Sequence, residues 1–428
     1  MSGLGRAYLV RADVRGTLPL ADHSVQCVVT SPPYYGLRDY GDSRQIGLEP
    51  TPGEYVACMV SVFREVRRVL RDDGVLWLNL GDSYTSGGRV GHGVVTSDKQ
   101  RSNRGADGKR DSARPPMPPG LKPKDIIGMP WRVAFALQAD GWYLRSDCIW
   151  AKPNPMPESV TDRPTKAHEY VFLLTKRERY FYDAEAERVT SDNPVTVARK
   201  GRTDNGSVGT AAMWGDRNGQ SGKGANNAVR AADSANLRTV WTLSTRSYPG
   251  AHFATFPPEL PARCIRLGTS EKGACPACGA PWRRVLAKDR KPTRPGDTSK
   301  VWDARKQSHV QQGGKLSSTL GSIIGNRDPA RHVTTSSTVG WEPSCSCDAG
   351  EPVPCVVLDP FSGSGTTAAV ARELGRVGIG TEVNPEYLEL ARARVSRKAL
   401  GRDNPALAAS SSRLSPMPGQ QSLFDVAT

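Results

Sequence analysis

The chain has 428 residues, 37% of them hydrophobic and 7% aromatic, with a formal charge of +15. That length suits one core domain with insertions; no run approaches the roughly 18 apolar residues of a membrane helix, and Met1 to Arg11 lacks a signal-peptide pattern. Nine cysteines scattered along a long chain argue against a disulfide scaffold and for the cytoplasm, while the basic balance fits either a nucleic-acid partner or a merely solvated surface.

Ala7–Val10 is a short apolar run ending near Asp13. Val25–Thr30 is another, and it ends at Ser31-Pro32-Pro33-Tyr34. Residues 55–70 predict a helix, with apolar side chains at Val56, Met59, Val60, Phe63, Val66 and Leu70. Val75–Leu80 reads as a buried strand running into Gly81-Asp82. Strand, helix and strand in that order predict a parallel α/β sheet. Residues 85–124 hold nine basic and three acidic residues among Gly, Ser and Pro, and read as a flexible basic loop. Ile126–Asp140 predicts a helix, Leu144–Trp150 a strand, and His168–Thr175 with Tyr180–Tyr182 a strand pair. After polar tracts at 184–235 and 288–340, strands are predicted at Cys355–Leu358 and Val377–Gly380. Helices are predicted at Ala368–Leu374 and Pro385–Lys398, followed by a polar tail. No internal repeat is present.

The C-terminal part carries one chemical signature. Val356-Val357-Leu358 runs into Asp359-Pro360-Phe361-Ser362-Gly363-Ser364-Gly365-Thr366. Glycines permit a tight turn and close approach of a ligand to the backbone, and the following helix offers free N–H groups. The next strand ends at Gly380-Thr381-Glu382, whose carboxylate suits a ribose diol. There is no Gly-Lys-Ser/Thr, which argues against a P-loop. Ala368 stands at the third glycine position of a dinucleotide turn, which leaves NAD open on the turn alone.

The second signature is Thr30-Ser31-Pro32-Pro33-Tyr34-Tyr35. Two prolines fix the backbone at a strand end and donate no hydrogen bond. The Ser31 hydroxyl and the Pro32 carbonyl can then accept from an amino group, and Tyr34 offers a flat face to a flipped-out base. The bland alternative is a rigid Pro-Pro turn.

Together these two segments resemble the amino-methyltransferases of DNA, with their Ser/Asp/Asn-Pro-Pro-Tyr tetrapeptide and Phe-x-Gly-x-Gly cofactor loop. Asp125–Arg132, Gly141–Arg145, Trp150–Pro155, His168–Tyr170 and Ala251–Pro257 also resemble segments of that family. The tetrapeptide precedes the cofactor loop, which resembles the circularly permuted beta subgroup. The resemblance implies a Rossmann-like, S-adenosylmethionine-dependent α/β sheet joined from both ends of the chain, with insertions. Residues 1–183 would form the catalytic half, with 85–124 its flexible loop, and 184–250 a target-recognition region. Residues 251–354 would connect to a cofactor-binding half at 355–400, followed by a disordered tail at 401–428.

On this reading S-adenosylmethionine meets Asp13, Asp359, Pro360, Phe361, Gly363, Gly365, Thr366 and Glu382, with Asp13 facing the adenine. Ser31, Pro32, Pro33 and Tyr34 act on an exocyclic amino group in double-stranded DNA. Serine at the first tetrapeptide position leans toward cytosine N4, with adenine N6 the alternative; an RNA or a protein amide is a remoter substrate. A non-enzymatic alternative is a zinc-stabilised DNA-binding protein with a degenerate core. Pro354-Cys355 imitates the Pro-Cys of a C5-cytosine enzyme but precedes the cofactor strand, so Cys355 reads as structural. Lysines and arginines of 85–124 and 184–250 are the candidates for phosphate contact.

Cys275-Pro276-Ala277-Cys278-Gly279 is a zinc-knuckle signature, and Cys345-Ser346-Cys347 is its candidate partner pair. Four thiolates would make a closed structural zinc site; four free surface cysteines are the alternative. Cys27, Cys58 and Cys148 lie in apolar runs and read as core residues. Finally, Gln420-Gln421-Ser422-Leu423-Phe424 resembles the short peptide with which bacterial replication and repair proteins bind the sliding clamp. Chance accounts for so short a match equally simply.

Overall fold

The computed structural model describes residues 5–37, 45–85, 120–190, 234–246, 256–292, 332–348 and 350–396. The bulk of the basic loop, residues 191–233 and 251–255, and the tail with Gln420–Phe424 lie outside them. In chain order the elements begin with β1 (Ala7–Arg11), β2 (Val25–Thr30), α1 (Pro52–Val69), β3 (Leu70–Leu80), α2 (Met129–Ala139), β4 (Tyr143–Ala151) and β5 (His168–Thr175). The short β6 (Val189–Thr190), β7 (Ser234–Ala235) and β8 (Val240–Thr242) follow, then α3 (Glu259–Gly268), β9 (Trp282–Pro292) and β10 (His332–Pro343). The chain closes with β11 (Val356–Asp359), α4 (Thr366–Glu373), β12 (Val377–Glu382) and α5 (Pro385–Ser396).

Eight strands form one sheet in the order β1-β12-β11-β2-β3-β5-β4-β8. The two C-terminal strands therefore lie between the two N-terminal ones, as the permuted reading requires. β1, β12, β11, β2 and β3 run parallel. β5 is antiparallel to both β3 and β4, so the sheet is mixed rather than all parallel. This corrects the expected pairing of Tyr180–Tyr182 with 168–175: β5 already has a neighbour on each side, and Phe181 instead donates its backbone N–H to the Asp73 carbonyl at 2.8 Å.

Local chemistry explains the helix starts. Thr51 and Glu54 form a reciprocal capping box, and Pro52 occupies the first turn, where a missing N–H costs nothing. These residues start α1 earlier than its apolar pattern predicts. α2 begins after Gly128, which has no capping side chain, and Asp82 Oδ1 from the end of β3 accepts from Met129 N at 2.9 Å instead.

Side chains alternate across each strand. Leu76, Leu78 and Leu80 join α1 and α2 residues such as Met59, Phe63, Val133 and Leu137 in one buried cluster. Val75 and Trp77 face the other side, where Gly268 of α3 lies against them. Trp77 also meets Trp241 of β8, with ring centroids 5.7 Å apart.

The chain divides into two compact units. One is drawn from residues 1–187, 238–284 and 341–428 and holds the eight-stranded sheet. The other is drawn from 188–237 and 285–340, and within it β6 pairs antiparallel with β7. β9 and β10 form a separate two-stranded sheet. Among the described residues no helix is long and apolar enough to cross a membrane.

Candidate active site

The C-terminal ends of β2 and β11 lie side by side, since Val357 and Leu358 pair with Cys27 and Val28. Residues more than 300 apart in sequence therefore share one buried knot. Thr30 donates its hydroxyl to Asp359 Oδ1 at 2.7 Å, and Thr367 donates to Asp359 Oδ2 at 2.8 Å. The Phe361 N–H reaches Oδ1 at 3.1 Å. Asp359 is only 1% exposed. Burial raises its carboxyl to about 6, although the three donors oppose that rise.

Beyond Asp359 the chain turns over Ser362–Gly365 into α4. Gly363 has φ of +49° and open space where a side chain would sit. Its N–H donates to Glu382 Oε2 at 2.9 Å, and Glu382 Oε1 accepts from Asn384 N at 2.9 Å. Gly365, with φ of +76°, serves a different end: a Cβ there would lie 2.9 Å from that of Ala391 on α5. Its close approach is to a helix, whereas the space at Gly363 is open. Thr366 is buried and accepts from Arg394 Nη1 at 2.7 Å. Pro360 is buried, with its carbonyl accepting from Thr381, and Phe361 packs on the main cluster. Asp13 lies just beyond β1, next to the end of β12, and Arg15 wraps its carboxylate with contacts of 2.7–3.1 Å.

Ser31-Pro32-Pro33-Tyr34 leaves the end of β2 directly after Thr30. The Tyr55 hydroxyl donates to the Pro33 carbonyl at 2.9 Å, whereas among the described residues nothing donates to that of Pro32. The Ser31 proton goes to the Tyr34 oxygen at 3.1 Å. A serine oxygen has two lone pairs; one faces Asn79 Nδ2 at 3.4 Å, and the other is left to accept. The Tyr34 phenol in turn donates to Glu169 Oε2 at 2.6 Å and accepts from Asn79 at 2.6 Å. Burial, then the Glu169 charge, raises its pKa well above the usual phenol value, so it stays protonated. Its ring lies on Gly81, where a Cβ would sit 2.6 Å from Cε2.

A helix N-terminus, a loop with one open glycine, a carboxylate at the next strand end and the Ser31–Tyr34 tetrapeptide thus converge at the C-terminal ends of the parallel strands. This donor set fits a nucleoside-bearing cofactor. A family model described as DNA methylase matches residues 25–275 and 352–393. The chain belongs to that family. It is a DNA methyltransferase of the class that modifies exocyclic amino groups, and it depends on S-adenosylmethionine. The type II methyltransferase M.SmaI of Serratia marcescens is similar to it, with 37% identity over 398 residues, 93% of each chain. So is the type II methyltransferase M.Cfr9I of Citrobacter freundii, 37% identical over 91% of this chain and 87% of its own. The solved cytosine-N4-specific PvuII DNA methyltransferase covers 96% of this chain and 93% of its own at 14% identity, with a TM-score of 0.47.

Three side chains of this methyltransferase that sequence reasoning did not single out complete the tetrapeptide's surroundings. Asn79 from β3 and Glu169 from β5 meet at 2.7 Å, and Lys152, just after β4, pairs with the other oxygen of Glu169. Lys152 also lies 4.4 Å from the centre of the Trp150 ring. The nearest signal was that Trp150–Pro155 and His168–Tyr170 resemble family segments, which gave no roles.

Cys27 and Cys148 are buried and Cys58 is half-buried. Cys355 is also buried, and its sulfur faces the Ser270 carbonyl at 3.8 Å. Cys275, Cys278, Cys345 and Cys347 come together, their sulfurs all within 4.8 Å of one another. Backbone N–H groups of Cys278 and Ala277 point at the Cys275 sulfur and bring its thiol down to about 7.

Proposed function

We propose that this methyltransferase transfers a methyl group to the N4 amino group of a flipped-out cytosine in double-stranded DNA. The observation that carries the reading is the 2.7 Å bond from Thr30 to Asp359, which holds Ser31 beside the cofactor turn. Serine rather than aspartate at the first tetrapeptide position favours cytosine over the alternative, adenine N6.

On this reading the pocket for S-adenosylmethionine lies over Gly363, at the start of α4, with Phe361 at its edge. Glu382 exchanges its bond with the Gly363 N–H for the ribose hydroxyls, and Asp13 faces the adenine. When bound, the cofactor supplies a methyl group on a positively charged sulfur. The remaining work is positional. An exocyclic amino nitrogen is a weak nucleophile because its lone pair is delocalised into the ring. The Pro32 carbonyl and the uncommitted lone pair of Ser31 accept hydrogen bonds from its two N–H groups and turn the nitrogen lone pair toward the methyl; as the N–C bond forms and the methyl–sulfur bond breaks, one of the two protons leaves the nitrogen for solvent. Tyr34, Asn79 and Glu169 fix the Ser31 hydroxyl so that it presents this lone pair and not its proton. Pre-set acceptors of this kind lower the barrier without a covalent intermediate.

Basic residues of 85–124 and 184–250 bind phosphates in this scheme, and Gln420–Phe424 is the segment that would engage a sliding clamp. The test is product identity. DNA methylated in vitro is digested to nucleosides and analysed by mass spectrometry. N4-methyldeoxycytidine is expected; N6-methyldeoxyadenosine alone would overturn the base assignment and leave the family untouched.

A further inference from the structure

We propose that Cys275, Cys278, Cys345 and Cys347 hold one structural zinc ion, which pins together the two ends of the 66-residue insertion between the cysteine pairs. The geometry is close to that of a filled site. A tetrahedral zinc with Zn–S bonds of about 2.3 Å sets its sulfurs roughly 3.8 Å apart. The four sulfurs already lie within 4.8 Å of each other. Contraction by about 1 Å or less per pair therefore completes the tetrahedron, a movement within the reach of side-chain torsions.

The surroundings are built for the same purpose. Cys275 and Cys278 lie on a tight turn in which Gly279 N donates to the Cys275 carbonyl at 2.8 Å and Cys275 N to the Ala280 carbonyl at 2.8 Å. Gly279 has φ of +71°, a conformation that favours glycine. The turn is seated on the main sheet: Arg71 donates to the Cys278 carbonyl, and Gln26 Nε2 to that of Gly279 at 3.3 Å. Gln26 Oε1 also accepts from Val356 N at 2.6 Å, at the start of β11. Next to the second cysteine pair, Trp341 stacks on the Arg284 guanidinium at 4.3 Å, and Arg284 pairs with Asp183 and Glu271.

Four sulfur ligands leave no open position on the metal, so the ion is structural and takes no part in methyl transfer. Its effect is to fasten the return of the chain at Cys345–Cys347 to a turn that is itself fixed on β2, β3 and β11.

Metal content and protein mass decide the matter. Full-length protein purified under reducing conditions should contain about one zinc per chain by elemental analysis and by native mass spectrometry. Cobalt exchanged into the site should give the intense sulfur-to-metal absorption of tetrahedral thiolate coordination. Cys278→Ser and Cys345→Ser should each lower zinc content severalfold and speed tryptic cleavage after Arg283 and Arg284. Cys58→Ser, away from the cluster, should leave both unchanged. If the serine variants fail to fold, the cobalt spectrum of the unaltered protein still gives the answer. Reduced protein that neither carries nor takes up zinc, or a mass showing these four cysteines paired in two disulfides, would overturn the proposal.

Discussion

Replacing Asp359 by asparagine isolates the electrostatics of the knot that joins the two halves of the site. The carboxyl is buried and shifted from 3.8 to about 6. Between those values the folded protein holds a proton that the unfolded chain releases. Its stabilising contribution is therefore complete below the unfolded pKa and is lost as pH rises through the folded one. A shift of about two units at about 1.4 kcal/mol each amounts to roughly 3 kcal/mol by neutral pH. In the Asp359→Asn variant, Oδ1 can still accept from Thr30 and Phe361. The amide can donate to Thr367, whose hydroxyl then turns fully to the Val29 carbonyl, 3.2 Å away. The bonds survive and the titration disappears. Urea unfolding of both proteins across the range from about pH 4 to about pH 7 should show the variant gaining about 2.4 kcal/mol relative to the parent, the rest of the difference lying below pH 4. Taking the difference cancels every other titrating group. The variant's absolute stability includes the cost of a second amide hydrogen; its pH dependence does not. A difference flat in pH, or one that falls as pH rises, would refute the reasoning by showing that the hydroxyls hold the carboxylate ionised.

The two glycines of the turn should separate cleanly. Gly365→Ala meets Ala391 at 2.9 Å and should destabilise the fold by about 1–3 kcal/mol in thermal or urea unfolding. Gly363→Ala meets nothing and should cost only about 1 kcal/mol, yet weaken S-adenosylmethionine roughly tenfold by calorimetry; equal effects on both properties would contradict the geometry. Tyr34→Phe should keep cofactor affinity while slowing single-turnover methyl transfer by on the order of a hundredfold, because Ser31 loses the oxygen that receives its proton. An unchanged rate would remove Tyr34 from the positioning of Ser31.

Much of this is legible in the amino-acid sequence itself. Buried strands such as Val25–Thr30 and Val356–Asp359 are apolar runs bounded by turn chemistry, and both signature segments sit at their ends. What escapes a sequence reading depends on tertiary pairing. α3 carries Pro261, Arg263 and Arg266 among its apolar residues, which blurs its period. β8 has three residues, too few to show alternation, yet it buries Trp241. Tyr180–Tyr182 has strand-like composition, but both edges of β5 are occupied. Asn79 and Glu169 meet because β3 and β5 pair with Asn79 opposite Val171, a register that neither segment encodes alone. The sulfur cluster shows the opposite case: two short cysteine pairs announce a site even across 66 intervening residues.

The strand order also dictates when this enzyme can exist. Among the described residues β1 has a single neighbour in the sheet, β12, and β2 meets the first strand only through β12 and β11. A ribosome that has released the N-terminal 350 or so residues has made β1 without its partner and β2 with one side bare. Long-range pairings of this kind are slow to form and leave strand edges exposed meanwhile. Thr30 can therefore bond to Asp359 only once β11 has left the ribosome. Chains that stop short of β12 keep Ser31–Tyr34 and Asp359 but lack the strand that carries Glu382 and separates β1 from β11.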